Sequence, residues 1–451
     1  MSRSISKSKY LAGLQCPKLL WSHYHAKEAI PGPDAATQAV FDQGHEVGRL
    51  AQTLFPGGTE VEWSEDGAAM RATTEKLLAE RRPLYEATFG AAGVFARADI
   101  LNPVEDGHWD IIEVKSGTSV KEINLHDVAL QRYCYESAGI PIRRCHLMHI
   151  NNQYVRLGAL DPHGLLHAED ITAAIAPLIP DVPVRIQAMQ QMLAQPVCPA
   201  VEIGEHCDAP YPCPLKAECW ATRWASEAAA TPTGTWTWDA SAIGAFLDDL
   251  TYPLYLLDFE TMGTAIPLFD ESRPYQQVPF QFSLHVVERL EEEPRHISWL
   301  WDGTGDPRQA MFTELRRAIG NTGSVLAYYK RFEEARLQES AAALPEHAAW
   351  VDALMPRMVD PGDPFRLRAA RHPALGERRW SLKLVLPLLT DLSYDALEIQ
   401  DGCSASAEFL RVLDAKTDPA ERAVVRKNLE EYCRQDTYGM LAILRKLDSM
   451  R

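Results

Sequence analysis

The sequence predicts two α/β domains in tandem. The chain has 451 residues, enough for two or three domains at roughly 100–200 residues each. Strand-like apolar runs alternate with helical patterns in both halves, which is the signature of mixed α/β layers. Between them the segment 226–240, SEAAATPTGTWTWDA, is small, polar and broken by Pro and Gly, and so reads as a domain edge. The expected organisation is a first domain over 1–225, a linker over 226–245 and a second domain over 246–451.

In the first half a helical pattern covers 35–55, strand-like runs cover 92–101 and 109–115, and a helix over 121–138 precedes a strand over 143–150. In the second half strands are expected over 253–259, 279–288 and 324–329, with helices over 307–319, 331–343 and 420–448. With 46% apolar and 24% charged residues, the chain can bury a sizeable core. No run of about 20 apolar residues predicts a membrane span. The start, MSRSISKSKYLAGLQCPKLLW, lacks the apolar stretch of a signal peptide, so the expected location is cytoplasmic. A net charge of −17 argues against a broad basic surface for duplex binding. One local exception is Arg366, Arg368, Arg371, Arg378 and Arg379, which fall within fourteen residues.

The first chemical constellation is FARADILNPVEDGHWDIIEVKSG, which contains Asp99, Glu113 and Lys115. Glu113 and Lys115 share a strand face by period-two alternation, and a hairpin brings Asp99 beside Glu113. An Asp and a Glu at one point suit Mg²⁺ or Mn²⁺, which prefer hard oxygen ligands. A lysine two residues on can orient water or stabilise a phosphate in flight. Gln131 and Tyr135 follow at helical i, i+4 spacing. An E-x-K on an exposed strand is common by itself, and the order of all five residues is what gives it weight. This order resembles the RecB-like branch of the PD-(D/E)XK nucleases, with its restriction-endonuclease-like fold. The resemblance extends to FDQGHEVGRLA, where it implies Glu46, or else His45, as a further metal ligand. It gives Gln131 and Tyr135 contacts with DNA or the active site.

The nine cysteines are an odd number, and in a reducing compartment a disulfide framework is not expected. Cys16 stands alone near the start, while HCDAPYPCPLKAECW supplies Cys207, Cys213 and Cys219 as C-x₅-C-x₅-C. One N-terminal cysteine plus three just after the nuclease core resembles the iron–sulfur staple of some RecB-like nucleases. That resemblance implies a structural [4Fe–4S] cluster on four thiolates. The usual final spacing is C-x₂-C-x₅-C, from which this chain departs, and four cysteines also suit tetrahedral Zn²⁺. Cys134, Cys145, Cys198, Cys403 and Cys433 read as buried apolar residues, with Cys198 a substitute ligand.

The second constellation begins with LLDFETMG, where Asp258 and Glu260 alternate onto one strand face. Adjacent like charges oppose folding, so the pair calls for either solvent or a cation. VLAYYKRFEEARL adds Glu333, with Glu334 beside it, and LEEYCRQDTYGMLAIL adds Tyr432 and Asp436 one helical turn apart. These segments in this order resemble the DEDD exonucleases of RNase H-like fold, in their tyrosine subclass. The resemblance implies two metals held by Asp258, Glu260, Glu333 and Asp436, with Tyr432 orienting the attacking water. Glu333 stands where that family usually has Asp. In RRWSLKLVLPLL, Lys383 is either a contact to the nucleic-acid backbone or part of an ordinary capped core helix. Asp360 is expected at a structural strand end.

Over about 400 residues the chain resembles a bacterial group joining an iron–sulfur RecB-like domain to a DEDD-like exonuclease domain. The expected function is metal-dependent hydrolysis of DNA, removing 3′ nucleotides at the second site, in repair, recombination or defence. A helicase or another repair or defence protein is the expected partner. The competing expectations are a nucleic-acid-binding scaffold with one or both sites inactive, and an exonuclease that processes RNA.

Overall fold

The computed structural model describes residues 4–227, 234–375, 380–414 and 416–451. The chain is mixed α/β and forms two compact units, one of Met1–Asp34 with Val40–Ala228, the other of Ala35–Ala39 with Ala229–Arg451.

The first unit is built on seven described strands: β1 (Ile5–Ser6), β2 (Thr59–Glu60), β3 (Leu84–Ala91), β4 (Val94–Pro103), β5 (Trp109–Val114), β6 (Ile142–Ile150) and β7 (Leu166–Asp170). They lie in the order β2-β3-β4-β5-β6-β7, with β1 parallel to β4. β3, β4 and β5 form an antiparallel meander. β6 then pairs parallel to β5, which requires a long crossover. Helices α1 (Lys7–Gln15), α2 (Pro17–His25) and α3 (Ala35–Gln52) precede the meander. α4 (Glu122–Ser137) is the crossover, and α5 (Lys216–Glu227) comes last. Between α1 and α2 only Cys16 is non-helical, with extended dihedrals, and Pro17 restarts the helix at its first position, where proline's missing N–H costs nothing. β5 is buried along its whole length, so its acids Asp110 and Glu113 must find partners inside the protein. Asp110 has one in Arg143, at 3.0 Å from Nε.

The second unit has a five-stranded sheet: β8 (Leu254–Met262), β9 (Val278–Val287), β10 (Arg295–Leu300), β11 (Val325–Leu326) and β12 (Met358–Val359). The order is β10-β9-β8-β11-β12. β8 to β10 are antiparallel, while β11 runs parallel to β8 and β12 to β11. Around the sheet stand α6 (Arg331–Ala343), α7 (Leu382–Leu389), α8 (Gly402–Leu413) and α9 (Pro419–Asp448). α9 starts with Asp418 accepting from the Ala420 N–H, Pro419 at its first position and Glu421 in its first turn, and ends with Arg445 and Lys446. Each of these suits the helix dipole or the unpaired end groups.

Alternation along β8 separates two cores. Leu254, Leu256 and Met262 pack with α7, α8 and α9, whereas Tyr255, Leu257 and Phe259 pack into the core on the other face. By the same parity Asp258 and Glu260 share the face of α9. On β9 a bulge between Pro279 and Gln281 breaks the register, and the even-numbered residues change sides there. Val278 and Phe280 join the α9 core, while Phe282 and Leu284 join the other. A bulge does this because one extra residue reverses the pleat. It turns Gln281, Ser283 and His285 toward α9, where they bond Leu429 O and Thr437 Oγ1.

The expected helices over 331–343 and 420–448 and the strands over 109–115, 143–150 and 279–288 correspond to observed elements within a residue or two. The expected linker over 226–245 is not linker throughout. Residues 228–233 lie outside the described residues, but Trp236 Nε1 donates to Leu388 O and a helix occupies Ala240–Asp248. The strand expected over 324–329 is only Val325–Leu326, because the chain turns at Tyr329, whose φ is 61°.

Phe280 is fully buried with its ring stacked on Phe409 at 4.0 Å. Phe280→Ala is expected to lower the stability of the second unit by about 3–5 kcal/mol, read by denaturant unfolding.

Candidate active site

In the second unit three segments bring four carboxylates together. Asp258 and Glu260 come from β8, Glu333 from the first turn of α6 and Asp436 from the middle of α9. Glu260, Glu333 and Asp436 are 5%, 3% and 6% exposed. Ligand atoms of Asp258, Glu260 and Cys433 all lie within 4.8 Å of one another. At that spacing two ionised carboxylates repel by about 3 kcal/mol for an effective dielectric constant near 20.

The electrostatics follow from this crowding. Burial first, then Asp436, pushes the Asp258 pKa well above the usual carboxylate range. Glu260 is raised in the same way by burial, then by Asp258 and Asp436. Glu333 is raised by burial and then by Asp258. Asp436 is raised by burial to about 6, held there by hydrogen bonds from Tyr394 and Tyr432 and by the Lys383 ammonium. Tyr394 Oη donates to Asp436 Oδ1 at 2.5 Å. Lys383, from α7, donates from Nζ to Tyr432 Oη at 2.9 Å and pairs with no carboxylate among the described residues. Burial and the neighbouring acids keep the Tyr432 hydroxyl protonated, so it can orient a water but not deprotonate one. Gly439, one turn after Asp436, leaves room for Leu386: a Cβ there would lie 2.9 Å from Leu386 Cδ2. That close approach seats α7, and with it Lys383, against α9.

Fully ionised, four carboxylates beside one ammonium would carry a net negative charge, and Glu333 Oε2 is buried with no hydrogen-bond partner among the described residues. An orphaned buried oxygen costs free energy unless something binds it. The donor set is oxygen-rich and fits a hard divalent cation. Cys433 is buried as expected and also donates to Asp258 Oδ2 at 3.5 Å. Asp360 accepts from the backbone N–H groups of Tyr329 and Gly362, a structural role in keeping with its strand end. Glu334 pairs with Lys330 at 3.1 Å.

The first unit gathers a different set. The pairing of Ile100 with Ile112 sets Asp99 and Glu113 side by side on β4 and β5, and Asp99 Oδ2 accepts from the Val114 N–H at 2.7 Å. Glu113 Oε1 is bound by Lys115 Nζ at 2.5 Å and by Lys7 Nζ at 2.7 Å, and its Oε2 accepts from Gln131 at 2.7 Å. Asp127, on α4, receives Lys115 at 2.9 Å and Gln131 at 3.0 Å. Burial opposes the Glu113 charge, but the two lysines outweigh it and hold its pKa well below the usual range. Burial and the Glu113 charge push Asp99 up to about 7. Three carboxylates here meet two ammonium groups, so this cluster is nearly neutral without an added cation.

Three expected residues fall outside that cluster. Tyr135 is fully buried, and its hydroxyl donates to Ala87 O and accepts from the Ala98 N–H. Both bonds tie α4 to the meander, so the ring is a strut rather than a substrate contact. Glu46 and His45 are exposed on α3, apart from the buried carboxylates, because Val47 and Ala51 take the buried side of that helix. Lys7 and Asp127 were missed. Asp127 lies one turn before Gln131 on the same helical face, a spacing that could have revealed it. Lys7 carries no such signal. In the second unit Tyr394 sits in a loop with none either.

The four distant cysteines do converge. Cys16 and Cys213 share a small buried cluster with Leu19 and Leu215, against which Cys219 packs. Cys16, Cys207 and Cys219 all act electrostatically on Cys213. Gln15 fastens the two segments by donating to His206 O and Tyr211 O. Tetrahedral Zn²⁺ with bonds near 2.3 Å holds its sulfurs about 3.8 Å apart. Among the described residues no three of these sulfurs lie within 4.8 Å of one another, so the sulfurs do not stand at tetrahedral zinc spacing. Of the remaining cysteines, Cys134 and Cys145 are buried, while Cys198 is half-buried and Cys403 is exposed. The apolar-core expectation therefore fails for Cys403, which lies in the first, solvent-facing turn of α8.

Residues 255–378 match a family described as "Domain of unknown function (DUF2779)". The match takes in Asp258, Glu260 and Glu333 and ends before Lys383, Tyr432 and Asp436. The chain is also 28% identical over 211 residues to "Uncharacterized protein MG366 homolog" of Mycoplasma pneumoniae (strain ATCC 29342 / M129 / Subtype 1), covering 41% of this chain and 31% of the relative. The chain thus spans about a third of that relative's own length.

Two outcomes follow from the geometry. A carboxyl held above its unfolded pKa keeps a proton that the unfolded chain releases, so stability falls as pH rises through the window between them. For Asp436 that window runs from about 4 to about 6. In EDTA the second unit is expected to melt lower at pH 7 than at pH 5. Glu260→Gln should raise the pH 7 melting temperature by about 2–4 °C per kcal/mol of repulsion removed and abolish any stabilisation by Mn²⁺. For the cysteines, protein purified without oxygen is expected to be brown with bound iron and sulfide, and Cys16→Ala colourless. Stoichiometric zinc without iron would contradict the iron–sulfur expectation.

Proposed function

We propose that this chain is a metal-dependent nuclease that hydrolyses phosphodiester bonds, with DNA as its first substrate and the four-carboxylate pocket of the second unit as a catalytic centre. The observation that carries this reading is the mutual approach of the acids Asp258, Glu260, Glu333 and Asp436, close enough to act electrostatically on one another, with Lys383 as the neighbouring ammonium. Nothing in folding alone favours such a collection. The sheet supports the same reading, since its mixed order places the two β8 acids on the central strand, as an RNase H-like exonuclease requires.

A divalent ion bound there would supply Lewis-acid stabilisation of the phosphoryl oxygens and a more acidic water. The four carboxylates would hold such an ion. Tyr432, protonated and fixed by Lys383, orients the attacking water with its hydroxyl. Tyr394 fixes the Asp436 carboxylate by its hydrogen bond, and Lys383 supplies the neighbouring positive charge through its bond to Tyr432. Glu333 reaches the pocket from the start of α6 with an unsatisfied oxygen, so the extra methylene relative to Asp still leaves a ligand atom available.

The first unit is proposed as a second phosphodiesterase centre of RecB-like type. Asp99 and Glu113 would hold an ion there, Lys115 would face the phosphate, and Gln131 would orient Glu113. Because Glu113 is already bound by two lysines, an ion must displace at least one of them. That observation favours a quieter first site and keeps open, for this unit alone, a role in holding nucleic acid. The four cysteines are proposed as an iron–sulfur staple that locks the end of α1 against α5 and the segment before it.

With Mn²⁺ and end-labelled DNA, the wild-type chain is expected to shorten the strand. Asp258→Asn should slow exonucleolytic loss on the order of 100-fold or more, the scale of losing one electrostatic stabiliser. Lys115→Met should remove the remaining cleavage. Matched RNA strands read the RNA alternative. Degradation by the double variant at the wild-type rate would falsify the proposal.

A further inference from the structure

The arginine-rich segment noted in the sequence belongs to neither carboxylate cluster. In the second unit it borders a cavity of about 370 Å³, within the size range of small-ligand sites. Its walls include Arg366, Arg368, Arg371 and His372 together with the rings of Phe365 and Trp380. Arg378 and Arg379 lie outside the described residues. A short antiparallel ribbon holds one wall, pairing Arg371 with Thr237 and Ala370 with Trp238. Trp236 backs the rings, 5.7 Å from Phe365 and 5.2 Å from His372. The chain as a whole carries a charge of −17, so three arginines around one cavity run against its average.

Guanidinium groups pair with phosphate in a planar, bidentate manner, and aromatic faces accept stacked bases of any sequence. Both chemistries in one cavity match a nucleotide unit of a single strand better than a free anion, which needs no rings, or an apolar ligand, which needs no charge. The cavity also lies near the carboxylate cluster. Tyr328 Oη donates to Trp380 O at 2.6 Å, and Tyr328 acts electrostatically on Tyr394, the hydrogen-bond partner of Asp436. Three residues beyond Trp380, Lys383 reaches Tyr432.

We propose that this cavity is a binding subsite for single-stranded nucleic acid, seating a base on Trp380 and the flanking phosphates on Arg366 and Arg371 while the strand continues to the carboxylates. The proposal rests on the nuclease reading for its purpose, but not for its test. The full chain is titrated in EDTA, where no cleavage occurs, with a fluorescein-labelled ten-nucleotide oligo-dT, and anisotropy is followed from low to moderate salt. Arg366→Gln with Arg371→Gln should weaken binding tenfold or more and reduce the salt slope by about 1.4, or roughly 0.7 per phosphate. Trp380→Leu should weaken binding at least about fivefold, the low end for one stacked base, with the salt slope unchanged. Arg289→Gln with Arg317→Gln removes the same charge from exposed positions elsewhere on the unit and should leave affinity within twofold. Circular dichroism melting of every variant confirms folding. Equal losses in the two double variants, or no loss in either, overturn the subsite. Tight oligonucleotide binding through these residues without Mn²⁺-dependent cleavage would keep the subsite and remove the nuclease reading, and cleavage with unaltered binding in the variants would do the reverse.

Discussion

The mutual repulsion of four carboxylates at the face of β8 is the constraint to which the second unit answers. Each acid is drawn out of water by packing that serves other ends: β8 is the central strand, α9 covers it, and α6 begins where β11 ends. Burial then raises each pKa, and the acids raise one another's. The protein answers with two tyrosine hydroxyls and a single lysine that stops short of the carboxylates. Such an arrangement is tolerated because the hydrophobic cores on both faces of the sheet are extensive. On the proposed reading, the unsatisfied charge is what recruits the cation.

The two clusters solve the same problem in opposite ways. Around Glu113 the charges are balanced internally, with Lys7 and Lys115 on one oxygen and Gln131 on the other. This lowers the Glu113 pKa, where burial alone would raise it. In the second unit, among the described residues, no lysine bonds a carboxylate of the cluster, and the pKa values rise instead. Removing one lysine from the first cluster would strand a buried carboxylate, whereas removing one acid from the second would relieve it. α1 links the first cluster to the cysteines, since Lys7 opens the helix and Cys16 ends it.

Much of this was legible in the sequence, and the reason is local periodicity. Asp258 and Glu260 share a face because strands alternate, and Tyr432 and Asp436 because helices repeat every three to four residues. Glu113 and Lys115 were legible for the same reason. What escaped was set by tertiary contacts. Lys7 reaches Glu113 across 106 positions, and Tyr394 reaches Asp436 from a loop without a periodic pattern. Tyr135 shows the converse: its spacing after Gln131 was right, but burial gave its hydroxyl to the backbone. The β9 bulge, which aims Ser283 and His285 at α9, has no sequence signal beyond Pro279.

The most direct test of the central claim is a crystal structure of the full chain grown with Mn²⁺, with anomalous diffraction recorded at the manganese edge. The account predicts anomalous density between Asp258, Glu260 and Asp436, with Glu333 Oε2 turned to it or to a bound water. Well-ordered carboxylates at saturating Mn²⁺ with no anomalous density among them, and paired instead by shared protons, would contradict it.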